Sequence, residues 1–435
     1  MDPSQDEFAR YHSAVRYLES LGNIFHGYRK TDLQSHPHPE MFLERMQDFL
    51  DQLGNPERGF KYVHITGTAG KGSVSSSVHA ALLMAGKRVG LFTSPFTVST
   101  IEKIQVGSKY IDPLVFAYIT ERLKPHIDEA MLKNRHGAPS YFEMMLAIAL
   151  IYFKIEKCEY AVLEVGLGGR YDATNIIKEP VITAVTNIGL DHTNILGTTR
   201  RLIAKDKAGI IKKGSVFFTS EEDPKIRDIF EAECAKTGAE YNALDVKGLG
   251  HDSRNRLLAG AICAKLGIIK SPSDMKTEAM MPARFEMIEK RPIVIIDGAH
   301  NPSKMKSTIF NLSRLKYKKL SLIIAVSADK DWKTMLKSIV PEAHAIYATR
   351  FSMPERQAVD PRALFEESKK HMRKTSSIRL YSDPVQAYAD ARKNLASDDA
   401  LLVTGSFYLA GDIRKIYCPE EEILRQRSSK IRPDR

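Results

Sequence analysis

The sequence predicts an α/β protein of two domains, the first built on a largely parallel sheet and the second smaller, on three observations. The chain has 435 residues, more than one ordinary hydrophobic core requires. Short apolar runs alternate with longer segments of helical periodicity, first from Tyr62 and again from near Pro282. Between the two series, Ser271–Pro282 has little periodicity and carries two prolines, as a linker does. Domains over 1–281 and 282–435 follow.

Residues up to about Gly54 read as a helical leader, because Phe42, Met46, Phe49 and Leu53 recur at helical spacing. The strand candidates of the first domain are Tyr62–Thr66, Val89–Phe92, Ala161–Val165 and Val181–Thr186, with Ser73–Ala85 and Tyr141–Ile155 as helical segments among them. In the second domain they are Ile293–Asp297, Leu320–Val326, Ala343–Ala348 and Leu401–Thr404.

Hydrophobic residues make up 43% and charged residues 27%, an ordinary globular balance. No run approaches the roughly 18 apolar residues of a membrane span, and MDPSQDEFAR lacks the basic-then-apolar pattern of a signal peptide. The expectation is a cytoplasmic protein with no membrane partner. Cys158, Cys234, Cys263 and Cys418 are widely spaced, which indicates neither a disulfide framework nor a thiolate zinc site. The net charge of +11 suits nucleic acid, but equally a site that gathers phosphates and carboxylates. Arg425, Arg427, Lys430, Arg432 and Arg435 read as a solvated tail, and no nucleic-acid-reading motif accompanies the charge. No nucleic-acid partner is expected.

The segment Tyr62–Ser73 runs from an apolar strand through Gly67, Thr68, Gly70, Lys71 and Gly72 to a helix start at Ser73. It reads as a phosphate loop: the glycines let backbone N–H groups turn toward anionic oxygens, Lys71 adds a positive charge, and the helix presents its positive end. The spacing is G-x-x-G-K-G-S, with a glycine between lysine and serine, unlike the usual G-x-x-x-x-G-K-[ST]. The first domain is thereby P-loop ATPase-like.

Ser94 follows the strand Val89–Phe92, and Glu164 lies at the end of the next. Carboxyl ends of parallel strands border the ligand crevice, so this hydroxyl and this carboxylate can serve Mg²⁺ and a phosphate-bearing substrate. His192 follows the strand that ends at Thr186, and Lys207 follows in a helical segment. An imidazole is a poor magnesium ligand taken alone.

The segments GTAGKGS, TSP, EVGLGGRYDATN, DHT and KAGIIKKG, then ARFE, DGAHNP and VTGSFY, occur in the order seen in one family. From about Tyr62 to Asp412 the chain resembles the folylpolyglutamate synthase/dihydrofolate synthase family of the Mur ligase superfamily. The resemblance implies a second domain that is Rossmann-like, and an ATP-dependent acid–amino-acid ligase. A substrate carboxylate takes the γ-phosphate of ATP, and the amine of L-glutamate then attacks the acyl phosphate. It implies ATP contacts at Gly67, Thr68, Gly70, Lys71, Gly72, Ser73, Asn255, Arg284 and Asp297. Ser94, Glu164, His192 and Lys207 are the implied Mg²⁺ site, with Lys207 matching the lysine that is carbamylated in the family. Lys71, Lys207 and His192 are the implied catalytic groups, and Tyr141, Phe142 and Glu143 match a segment near the pterin of a folate or dihydropteroate substrate. Closure of the two domains would exclude water from the acyl phosphate, and a monomer is expected.

The chain departs from the family at Ala69, where asparagine is usual, and at Phe96, where histidine is frequent. The spacing of Lys30–Pro39 before Leu43-Glu-Arg45 is also altered. These departures leave two alternatives: a Mur-type ligase for another carboxylate, and a nucleotide-binding regulator without ligation.

Overall fold

The apolar run after the leader becomes the centre of the first sheet. In a computed structural model, residues 3–22, 38–275, 281–353 and 356–431 are described. Residues 30–37 of the altered leader, residues 276–280 of the linker, and Arg432 and Arg435 of the tail lie outside them. The chain divides into two units, Met1–Pro95 with Thr100–Ala279, and Phe96–Ser99 with Met280–Arg435.

In the first unit the strands are β1 (Lys61–Thr66), β2 (Val89–Phe92), β3 (Ile104–Val106), β4 (Lys109–Tyr110), β5 (Tyr160–Glu164), β6 (Ile182–Val185), β7 (Val216–Thr219) and β8 (Glu240–Ala243). Their order is β4-β3-β2-β5-β1-β6-β7-β8. From β2 to β8 every pairing is parallel, and only β3 and β4 run antiparallel at one edge. The carboxyl ends of β2, β5, β1 and β6 therefore open on one side, where open parallel sheets bind ligands. The register sets Ile65 beside Glu164 and Thr66 beside Val185, so the loops that follow are neighbours.

The helices of this unit are α1 (Pro3–Leu21), α2 (Met41–Gln52), α3 (Lys71–Met84), α4 (Pro113–Lys133), α5 (Tyr141–Ile155), α6 (Thr193–Leu196), α7 (Arg200–Lys207), α8 (Pro224–Thr237) and α9 (His251–Lys265). α5 is apolar nearly all round and buried from Glu143 to Leu150, so it packs as an interior helix. Its Phe153 fits because β2 has Gly90: a Cβ there would fall 2.5 Å from the ring. One core lies between α3, α9 and the sheet, with Val63, Ile65, Val78, Leu82, Val162 and Ile262 fully buried.

The second unit contains β9 (Glu286–Lys290), β10 (Ile293–Ile296), β11 (Leu320–Ile324), β12 (Ala345–Ala348), β13 (Ser377–Leu380) and β14 (Ala400–Thr404). Their order is β13-β12-β11-β14-β10-β9, parallel except for β9 against β10. Its helices are α10 (Pro302–Leu312), α11 (Trp332–Ile339), α12 (Pro361–Lys369), α13 (Pro384–Lys393), α14 (Phe407–Arg414) and α15 (Glu420–Gln426). β11 and β14 are buried throughout, the continuous apolar pattern of strands covered on both faces. All four cysteines are buried thiols. Among the described residues, no helix is long and apolar enough to cross a membrane.

Candidate nucleotide and metal site

The loop between β1 and α3 has its shape enforced at two glycines. Gly67 has φ +149°, and a Cβ on it would lie 1.8 Å from Thr186 Oγ1. Gly70, at φ +83°, precedes α3, and its Cβ would lie 2.3 Å from Asn255 Oδ1. Left-handed backbone and lack of room coincide at Gly70, so glycine alone satisfies both. The end of β6 holds the loop from the other side. Thr68 N donates to Asn187 O at 2.9 Å, Ala69 N to Asn187 Oδ1 at 2.9 Å, and Thr186 Oγ1 to Ala69 O at 2.6 Å. Lys71 folds back, its Nζ 3.0 Å from Gly67 O. Lys71, Gly72 and Ser73 open α3, where first-turn N–H groups have no acceptor within the helix and the helix dipole favours an anion. The geometry suits phosphate.

Glu164 ends β5 and is 2% exposed, and its Oε2 accepts from Ser94 N at 3.1 Å. The second residue after β2 and the last residue of β5 are thus brought together, as the parallel order of the strands allows. Lys207 ends α7 and is 4% exposed. Its Nζ is 3.3 Å from Gly168 O and 3.5 Å from Thr66 Oγ1, which itself donates to Gly168 O at 2.6 Å. Gly169 permits this approach, since its Cβ would lie 2.9 Å from Lys207 Cα. Burial, and then the charge of Lys71, lower the pKa of Lys207, against the opposing pull of Asp206, Asp191 and Asp172. A neutral amine is the form that reacts with CO₂.

His192 caps the short α6 with φ 50°, an uncommon conformation for a non-glycine residue that costs about 1–3 kcal/mol. Its side chain stays 31% exposed, with Nε2 3.9 Å from Asp191 Oδ1. The oxygens of Ser94 and Glu164 fit Mg²⁺ better than the imidazole does. Among the described residues no three His, Cys, Asp or Glu side chains are grouped for a metal ion, so a magnesium here would depend on water and substrate oxygens as well.

Tyr141, Phe142 and Glu143 form the first turn of α5. Tyr141 OH accepts from the buried Lys103 at 3.0 Å, and the lysine also lies 4.4 Å from the ring centroid. Phe142 packs at 5.6 Å from Phe92 and fills the space that a side chain on Gly166 would need. Glu143 is 3% exposed and closes a capping box with Ser140. Its carboxylate also pairs with Arg45, at 3.1 Å from Nε and 3.0 Å from Nη2. The carboxylate is committed inside the protein, whereas Tyr141 and Phe142 are half-buried.

In the second unit, Asp297 follows β10 and is 8% exposed. It accepts from Phe285 N at 2.7 Å, Ala299 N at 2.8 Å and Thr308 Oγ1 at 3.0 Å. Burial raises its pKa, and these hydrogen bonds oppose the shift. The guanidinium of Arg284 lies 4.4 Å from the centre of the Phe407 ring.

Sequence reading passed over several residues that build the site. Thr66, Thr186 and Asn187 are polar residues at the ends of apolar strands, a signal equal to the one that singled out Glu164. Asp172 is 1% exposed and orders the loop after β5, accepting from Leu167 N at 2.9 Å and Thr174 Oγ1 at 2.6 Å. His64 completes this chain, 2.8 Å from Thr174 Oγ1. Arg45 gave no local sign of its distant partner.

Residues 65–254 match the Mur ligase middle domain, and residues 283–407 match the Mur ligase glutamate ligase domain. The dihydrofolate synthase/folylpolyglutamate synthase of Bacillus subtilis (strain 168) is 30% identical over 413 residues, covering 86% of this chain and 94% of the relative. The folylpolyglutamate synthase of Lacticaseibacillus casei is 30% identical, with 85% and 93% covered. A structure of Mycobacterium tuberculosis folylpolyglutamate synthase complexed with ADP superposes with a TM-score of 0.83 at 26% identity, covering 94% of this chain and 98% of that one.

Proposed function

This chain belongs to the folylpolyglutamate synthase/dihydrofolate synthase family of Mur ligases, and from that premise we propose that it adds L-glutamate to a folate or dihydropteroate carboxylate at the expense of ATP. The observation that carries the reading is the loop from Gly67 to Ser73, whose two positive-φ glycines leave no room for a Cβ against Thr186 and Asn255, and which Thr186 and Asn187 hold by hydrogen bonds as a cradle for phosphate.

In this reading the backbone N–H groups of Gly70–Ser73 hold the ATP phosphates, while those of Thr68 and Ala69 are taken by Asn187 and shape the loop. Lys71 leaves Gly67 O to neutralise the transferring γ-phosphoryl group, the charge that such enzymes chiefly stabilise. Asn255, Arg284 and Asp297 are nucleotide contacts. Ser94, Glu164 and His192 are the residues that would hold Mg²⁺, with water and substrate oxygens completing the set, and the ion would supply charge neutralisation for the phosphates. Lys207, as a carbamate, adds oxygens in place of an ammonium, and its burial and lowered pKa favour that modification. The acceptor carboxylate attacks the γ-phosphorus and ADP leaves, then the amine of glutamate displaces phosphate from the acyl phosphate. Tyr141 and Phe142 offer half-buried aromatic surface to a pterin. The protein works in this reading as a cytoplasmic monomer.

The test supplies purified protein with ATP, Mg²⁺, L-glutamate and either dihydropteroate or tetrahydrofolate, and measures ADP and new amide together. Equal amounts of both products with at least one acceptor are expected. ADP and amide formed only with a different carboxylate would replace this reading with that of another Mur-type ligase, to which Phe96 in place of the frequent histidine points. Absence of amide with every acceptor would leave a nucleotide-binding protein.

A further inference from the structure

Arg284 stands between two residues in unusual conformations. Ala283 has φ 54° and Phe285 has φ 49°, both left-handed and neither a glycine. Such a backbone persists only where its surroundings hold it. Three hydrogen bonds do so here. Gly298 N donates to Ala283 O at 2.8 Å, Phe285 N to Asp297 Oδ2 at 2.7 Å, and Ala283 N to Glu286 Oε2 at 2.9 Å.

The third bond depends on a residue far along the chain. Glu286 is gripped by Arg414, Nε to Oε2 at 2.9 Å and Nη2 to Oε1 at 3.0 Å, a bidentate pair that fixes the carboxylate plane. The Arg414 side chain is 1% exposed, and it also donates to the carbonyl of Ser429 in the C-terminal segment. Arg414 and Phe407 are seven residues apart on α14, which puts them on one face. That single face meets the turn twice. Phe407 lies under the Arg284 guanidinium, and Arg414 holds the carboxylate that fastens the start of the turn.

We infer that Arg414 and Glu286 are positioning residues for Arg284, holding the Ala283–Phe285 turn so that its guanidinium is presented to the nucleotide from the Phe407 ring. The inference rests on the proposed role of Arg284 as an ATP contact. Neither residue needs to touch the nucleotide. The proposed chemistry at the γ-phosphate is assigned to Lys71 and Lys207 and not to Arg284, so loss of the pair weakens nucleotide binding more than turnover.

The test compares Glu286→Gln, Arg414→Gln, the double variant Glu286→Gln/Arg414→Gln, and Glu286→Asp, each alone and with Arg284→Ala, under saturating acceptor and glutamate. The double glutamine variant removes both charges, so no buried ion is left unpaired to unfold the domain. We expect KM for ATP to rise about tenfold with kcat changed by no more than about twofold, and Glu286→Asp to recover part of the loss. With Arg284→Ala already present, adding Glu286→Gln should leave KM where Arg284→Ala put it. A raised KM in Arg284→Ala with an ordinary KM in the double glutamine variant overturns the positioning role alone. So does an additive effect of Glu286→Gln on top of Arg284→Ala. An ordinary KM in Arg284→Ala overturns the nucleotide role of Arg284, and the inference with it.

Discussion

Asn255 of α9 stands so close to Gly70 that a single added carbon on the glycine would meet its Oδ1 at 2.3 Å. Gly70→Ala must therefore displace Asn255 and also hold alanine at φ +83°. We expect kcat/KM for ATP to fall about a hundredfold, the loss that misplacing a positioning group by about 1 Å can bring. Gly86→Ala is the control, because φ is +75° there with nothing within 4 Å. It should cost about 1 kcal/mol of stability and leave ATP kinetics alone, as measured by urea unfolding and steady-state assay.

Lys207 tests the proposed carbamate. Lys207→Ala should abolish amide formation, and formate or acetate should restore part of it by placing oxygens in the vacated space. Labelled CO₂ should appear on the wild-type protein by NMR and be missing from the variant. Full activity of Lys207→Ala at saturating magnesium rules the carbamate out.

Glu164→Gln preserves the size of the side chain next to Ser94 N while removing a negative oxygen. The magnesium concentration for half-maximal turnover should rise about tenfold, as expected when a hard cation loses a charged ligand. An unchanged magnesium titration removes Glu164 from the metal site.

The buried pair of Arg45 and Glu143 separates a structural role from a substrate contact. Arg45→Met alone should cost about 3–5 kcal/mol, because the remaining carboxylate is buried without its partner. Arg45→Met/Glu143→Gln should cost less than Arg45→Met, in urea unfolding. If Glu143 only orders the start of α5, the double variant keeps the wild-type KM for the pterin acceptor. A large rise in that KM with stability restored makes Glu143 a substrate contact.

His64 should govern part of the acid sensitivity. Burial pushes its pKa down from 6.5 to about 3, so the folded protein keeps the ring neutral where the unfolded chain takes up a proton. Between these values the unfolded state binds more protons, and stability falls as pH drops, by about 1.4 kcal/mol per pH unit for one such group. Stability above pH 6.5 is unaffected by this group. His64→Gln should flatten the slope of urea stability against pH in that window by about one proton. An unchanged slope means that His64 does not carry it.

Much of the fold was legible because its signals are local. The buried strands β1, β5, β6, β11 and β14 are short apolar runs that any chain order would reveal. The strands β3, β4, β8, β9 and β13 escaped notice, since their residues are largely exposed or half-buried and leave no apolar run to read; β7 escaped as well, although its run Val216–Thr219 is apolar and mostly buried, because four residues are a short signal. Glu143 shows the same division within one residue. Its capping box with Ser140 spans four residues and could be read locally, but its ion pair reaches Arg45, 98 positions away.

The sequence by itself determined the phosphate loop, the alternation of strand and helix, and the family, because glycine conformations, apolar periodicity and motif order all live within short stretches of chain. Tertiary structure decided which distant groups share a charge environment. Lys207 reads in sequence as one more lysine on a helix, and only the fold buries its amine beside Thr66 and Gly168 and lowers its pKa. Arg414 likewise reads as a helix-end arginine until the parallel sheet of the second unit brings α14 against Glu286. Desolvation and pairing depend on what surrounds a side chain, and those surroundings exist only once segments far apart in sequence have packed together.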